Sequence, residues 1–139
     1  MNDNQNSETR EQEDNIGKRI LIFDDDQEIL TMCTIVLKKF NYQVKTLSRC
    51  ENVIMDIDNY KPDLILMDLW IPEIGGEKAV QLVKGNSKSS HIPVLLFSAN
   101  SDISDICIRA NADGFITKPF KLNIFRETIE KHIQISQPK

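Results

Sequence analysis

The sequence predicts an α/β protein: a doubly wound parallel sheet of five strands with helices on both faces. Three observations carry that expectation. Five short apolar runs alternate with longer segments of helical period, which is the pattern of a parallel sheet covered on both sides. The runs are four to six residues long and continuously apolar, as buried strands are. With 139 residues the chain holds one domain with a real core and not two.

Residues 1 to 17 come first and read differently from the rest. They carry five acids (Asp3, Glu8, Glu11, Glu13, Asp14), one base (Arg10) and almost no apolar side chains. Such a stretch buries too little surface to offset its ordering entropy, so a disordered acidic tail is expected there, with the folded domain over 18–139. Its charge, 1 − 5 = −4, equals the net −4 of the whole chain, leaving 16 bases against 16 acids in the remainder.

The first strand is expected over Arg19 to Phe23 and breaks into Asp24-Asp25-Asp26. Asp26 followed by Gln27-Glu28 reads as a helix cap opening a helix over Gln27 to Phe40, and Asn41 stops it. A second strand over Gln43 to Thr46 leads to a helix over Cys50 to Asn59, ended by Lys61-Pro62. The third strand, Leu64 to Met67, again turns acidic, at Asp68, and Trp70, Pro72 and Gly75-Gly76 mark the loop before a helix over Gly76 to Asn86. After the polar stretch Ser87 to Pro93, a fourth strand over Val94 to Phe97 ends in the hydroxyl of Ser98, and a helix runs from Ser101 to Ala110. The fifth strand, Gly114 to Thr117, ends in Lys118-Pro119-Phe120, and the last helix covers Lys121 to Ile135.

Polar groups thus collect at the carboxyl ends of strands one, three, four and five. Were strands one and three adjacent, Asp24, Asp25 and Asp68 would share one pocket. Carboxylates that close repel one another, and a hard divalent cation with oxygen ligands relieves the repulsion. The cluster therefore points to Mg²⁺. An added hydroxyl and ammonium match what a phosphoryl group needs: charge neutralisation, partners for its oxygens, and a carboxylate able to attack phosphorus.

Asp24-Asp25, Asp68, Ser98-Ala99 and Lys118-Pro119-Phe120, in this order and spacing, resemble the receiver domain of two-component response regulators over roughly residues 18 to 135. The resemblance implies a flavodoxin-like sheet of strand order 2-1-3-4-5, with a crevice beyond strands one and three. It implies that Asp68 accepts the phosphoryl group and that Asp25 ligates Mg²⁺ directly while Asp24 acts mainly through water. The backbone carbonyl of Trp70 would be a further ligand. Ser98 matches the family's switch hydroxyl, Phe115 its switch aromatic, and Lys118 its phosphate-contacting lysine, whose bond to Pro119 is typically cis. The implied partners are a histidine kinase or histidine phosphotransfer protein as donor, and a downstream protein or second copy on the face of helix four, strand five and helix five. Ile103 and Ile106 are expected to point outward on that face. Trp70 is bulkier than the usual residue two after the acceptor, and Gly75-Gly76 stands where Asp-Gly is usual.

Two other readings compete. A haloacid-dehalogenase-type phosphatase also forms an aspartyl phosphate, with Asp24-Asp25-Asp26, Ser98 and Lys118 imitating its motifs. It then needs an acidic pair after the lysine, where only the separated Glu127 and Glu130 follow, and it leaves Asp68 without a role. A degenerate receiver would keep the fold and serve only as a protein-binding module. The balanced charge of the folded part gives no sign of a nucleic-acid partner. The absence of a long apolar stretch gives none of a membrane span, and the expected location is the cytoplasm. Cys33, Cys50 and Cys107 are expected as buried, reduced thiols, and His91 and His132 as surface residues.

Overall fold

The computed structural model describes residues 17–135, so the expected acidic tail lies outside the described residues apart from Gly17. Five parallel strands, β1 (Arg19–Phe23), β2 (Gln43–Leu47), β3 (Leu64–Asp68), β4 (Val94–Ser98) and β5 (Gly114–Thr117), form one sheet of order β2-β1-β3-β4-β5. The helices are α1 (Gln27–Lys39), α2 (Val53–Tyr60), α3 (Gly76–Gly85), α4 (Ile103–Ala110) and α5 (Leu122–Ile135). The expected fold and strand order are those observed.

Alternation along each strand sorts the core into two layers. Ile20, Ile22, Leu64, Leu66, Leu95, Phe97 and Ile116 face α1 and α5, where Leu30, Cys33, Leu37, Phe125, Ile129 and Ile133 close over them. Leu21, Phe23, Ile65, Met67, Val94 and Leu96 face the other way, beneath α2, α3 and α4. Both sides of β3 and β4 are buried, which is why those runs contain no alternation of polar residues.

Helix boundaries follow local chemistry. Asp26 caps α1, its carboxylate accepting from the amides of Glu28 and Ile29. The second helix starts three residues later than expected, because Cys50 is held in a bridge to Glu73 and Asn52 provides the cap, accepting from the Met55 amide. Helix α4 also starts late: the Asn100 side chain accepts from the Asp102 amide and its carbonyl from the Ile103 amide, so a turn precedes the helix. Lys61 and Asn111, both in the left-handed region, end α2 and α4.

One expectation about α4 is corrected. Ile103 and Ile106 point inward, and with Cys107 and Ala110 they make the i, i+3, i+4, i+7 stripe that packs on the sheet. The outward isoleucine is Ile108, 76% exposed. His132 is likewise more than a surface residue, since its ring nitrogens lie 2.7 Å from the Thr128 carbonyl and 3.2 Å from that of Asp113. The three cysteines are free and buried, and burial is the main cause that pushes the Cys33 and Cys50 thiols up to about 12. Among the described residues no helix is long and apolar enough to cross a membrane.

Candidate phosphoryl-transfer site

The same alternation that builds the core aims the site. Asp24 continues the α1-facing set of β1, Asp68 that of β3 and Lys118 that of β5, so three charged side chains leave the carboxyl ends of their strands on one side of the sheet, with β4 between the last two. Short ties fix each backbone. The Asp24 amide donates to Leu47, the Leu69 amide to Phe97, and the Lys118 amide to the carbonyl of Ser98.

Asp24 and Asp68 are buried while Asp25 is exposed, and one carboxylate oxygen from each lies within 4.8 Å of the others. Lys118 enters between them. Its ammonium donates to Asp24 Oδ2 at 2.6 Å and to Asp68 Oδ1 at 3.1 Å. The second oxygen of Asp24, Oδ1, accepts from the Asp26 amide at 2.9 Å. Both oxygens of Asp24 are therefore engaged, whereas Oδ2 of Asp68 accepts no hydrogen bond among the described residues. Of the two buried carboxylates, Asp68 alone keeps an oxygen without a hydrogen-bond partner among the described residues.

Burial, then the charge of Asp24, holds the Asp68 carboxyl above the usual carboxylate range, with Lys118 opposing both. Burial also works against the Lys118 ammonium, but the hydrogen bond to Asp24 and the charges of Asp68 and Asp24 outweigh it and raise its pKa. Three ionised carboxylates against one ammonium leave two negative charges uncompensated. That excess, presented by hard oxygen donors, fits a divalent cation such as Mg²⁺.

Ser98 ends β4 fully buried, with its Oγ accepting from the Asn100 amide at 3.0 Å, which leaves the hydroxyl proton to donate. The Lys118-Pro119 bond is cis. Phe115 is on β5 and 37% exposed, bordering a small cavity with Pro119 and Ile124. Trp70 follows Asp68 by two residues and is 69% exposed. It lines a crevice of about 570 Å³ with Leu69, Ile74, Ile106 and Arg109, on the α4 side of the acceptor loop.

The sequence marks Gly76 as a helix start and a departure from a pattern, with no sign of why a glycine is needed there. In the structure a Cβ at Gly76 would stand 2.4 Å from the Asp68 carbonyl oxygen and 2.7 Å from Leu69 Cα, so α3 begins in direct contact with the backbone of Asp68 and Leu69. The loop after Asp68 is also strapped from outside: Cys50 exchanges backbone hydrogen bonds with Pro72 and Ile74, and Arg49 pairs with Glu73. The competing phosphatase reading loses its remaining support, since Glu130 is spent on Arg126 and Asp68 stands inside the cluster.

Comparison with known proteins agrees with this geometry. The sequence model of the response regulator receiver domain matches residues 20–130. The DNA-binding response regulator MtrA of Mycolicibacterium smegmatis is 28% identical over 110 residues, covering 78% of this chain and 47% of the relative. The chain thus spans about half the length of the curated relatives it matches. Among solved structures, the signal receiver domain of a signal transduction histidine kinase from Syntrophus aciditrophicus superposes with a TM-score of 0.81 at 26% identity, covering 88% of this chain and 95% of that one. The receiver domain of a sensor histidine kinase from Pseudomonas aeruginosa has the same fold, with a TM-score of 0.77 at 22% identity, covering 85% of this chain and 98% of that one. That structure holds a magnesium ion coordinated in its active-site cleft.

Proposed function

The chain belongs to the response regulator receiver domain family, and on that premise we propose that it takes a phosphoryl group onto Asp68 from a phosphohistidine protein, with Mg²⁺ in the carboxylate cluster. The carrying observation is the unequal engagement of two buried carboxylates. Asp24 has both oxygens committed, while Asp68 keeps Oδ2 free and is partnered at Oδ1 by Lys118.

In the reaction a bond forms between an Asp68 oxygen and phosphorus as the phosphorus–nitrogen bond of the donor breaks, and the imidazole leaves. Asp25 and Asp24 would hold the metal, Asp25 directly and Asp24 mainly through water, with Asp68 and the Trp70 carbonyl as further ligands. When bound, Mg²⁺ neutralises charge on the transferring phosphoryl oxygens. Lys118 holds another of those oxygens, and the Ser98 hydroxyl donates to a third. Each acts by position and charge, which suits a transfer with a loose transition state.

The signal would leave through the surface of α4, β5 and α5. As Ser98 moves toward the phosphoryl group, Phe115 turns inward from its exposed position, shifting an equilibrium the unmodified chain already samples. A downstream protein or a second copy of the chain would read that face, with Ile108 rather than Ile103 or Ile106 among its contacts. We place this activity in the cytoplasm, where histidine kinases or histidine phosphotransfer proteins present their phosphoryl groups.

Incubation with acetyl phosphate, with and without Mg²⁺, followed by intact-mass measurement tests the reading. One added phosphoryl group only when Mg²⁺ is present is expected. No gain in mass under either condition would leave the chain as a protein-binding receiver without phosphorylation.

A further inference from the structure

Lys118 has a third partner besides the two carboxylates. Its Nζ lies 4.7 Å from the ring centroid of Phe97, within the ~6 Å at which an ammonium is attracted to the negative face of an aromatic ring. The ring is fully buried and the lysine side chain only 19% exposed, so water screens the contact little. Phe97 is the register partner of Asp68, and its backbone carbonyl accepts from the Leu69 amide, so the ring is anchored to the acceptor strand. It is also braced by two other rings. Phe120 packs at 5.1 Å and Phe125 at 6.2 Å, while those two stack on each other at 4.9 Å.

An ammonium has three N–H groups, and here two are directed to Asp24 and Asp68. A leucine at position 97 would keep the position apolar but would offer no charge partner. We propose that Phe97 is a positioning residue for the phosphoryl-transfer site: its braced ring face holds the Lys118 ammonium between Asp24 and Asp68, at the height where it meets the incoming phosphoryl group. The proposal rests on the phosphoacceptor reading for its effect on rate, but not for its effect on the metal site. A lysine that is less well held competes less for Asp24, so the cluster should take Mg²⁺ more tightly.

Replacing Phe97 with pentafluorophenylalanine keeps the ring's shape and reverses the charge of its face, which separates this role from core packing. Calorimetric Mg²⁺ titration should show affinity raised about threefold or more, and phosphorylation by acetyl phosphate should slow about tenfold, with the melting temperature nearly unchanged. Phe97→Leu should shift Mg²⁺ affinity and phosphorylation rate in the same directions, at a cost in melting temperature from the smaller core side chain. In a Lys118→Met background the fluorinated ring should change Mg²⁺ affinity no further. Unaltered Mg²⁺ affinity on fluorination, or an equal change in the Lys118→Met background, would overturn the proposal. A wild-type chain that takes no phosphoryl group would count against the acceptor reading alone, because the metal titration still decides the role of Phe97.

Discussion

Lys118 stands 2.6 Å from Asp24, closer than to the acceptor itself, so in the metal-free protein the ammonium is the counter-charge of the carboxylate cluster. A cation entering that cluster meets a positive charge already in place. Lys118→Met should therefore raise Mg²⁺ affinity, by about tenfold, while slowing phosphorylation at least as much. Calorimetric titration beside phosphorylation kinetics checks the split; a fall in both quantities would mean that the lysine supports the metal site rather than opposing it.

Asp25 and Asp26 are adjacent and both exposed, and on the proposed reading they do different work. Asp26 accepts from the Glu28 and Ile29 amides, so Asp26→Ala should cost about 1 kcal/mol of stability and leave Mg²⁺ binding nearly intact. Asp25→Ala should do the reverse, weakening Mg²⁺ binding by about tenfold or more with little loss of stability. Thermal melts and metal titrations of the two variants read both quantities.

The acceptor's raised pKa has a signed consequence. Because burial and Asp24 disfavour the ionised form of Asp68 in the folded state, its ionisation costs stability once the pH has risen through the folded pKa, and costs nothing below the ordinary carboxylate value. Asp68→Asn, which keeps an oxygen for Lys118, should then raise the melting temperature by a few degrees at neutral pH in the absence of metal. The gain should fade as the pH drops from the raised pKa toward the ordinary range. Melting curves across that window check the prediction, and a gain that grows on acidification would contradict it.

Much of this was legible in the sequence because it depends on local pattern. The apolar runs end where the strands end, and the side chain that follows each run is placed by the alternation already set within it, as with Ile22 to Asp24 and Leu66 to Asp68. Asp26 was readable as a cap from its two followers alone. What the sequence hid depends on how separate elements meet. The sequence leaves Ile103 and Ile106 free to point outward because Ile103, Ile106, Cys107, Ile108 and Ala110 fit more than one rotation of the helix, and only burial in the core layer that also holds Val83 and Leu96 selects one. The contact of Phe97 with Lys118 joins a residue of β4 to one just past the end of β5. The strap from Cys50 to Pro72 and Ile74 joins two loops and has no signature in either.

The only tryptophan offers a direct view of the metal site. Trp70 shares the acceptor loop, and its exposed indole lies in the crevice facing Ile106 and Arg109. Mg²⁺ binding should change its emission, and the change should be lost in Asp25→Ala. A fluorescence titration that is silent in the wild type, while calorimetry reports binding, would place the metal away from this loop.

On the proposed reading Asp68, and no other carboxylate of the cluster, carries the phosphoryl group. Borohydride reduction of the phosphorylated chain converts an aspartyl phosphate into homoserine, and peptide mapping then reads which position has changed. Homoserine at position 68, absent in Asp68→Asn, is the predicted result; homoserine at position 24 or 25, or a phosphoryl mass that survives unchanged in Asp68→Asn, would contradict it.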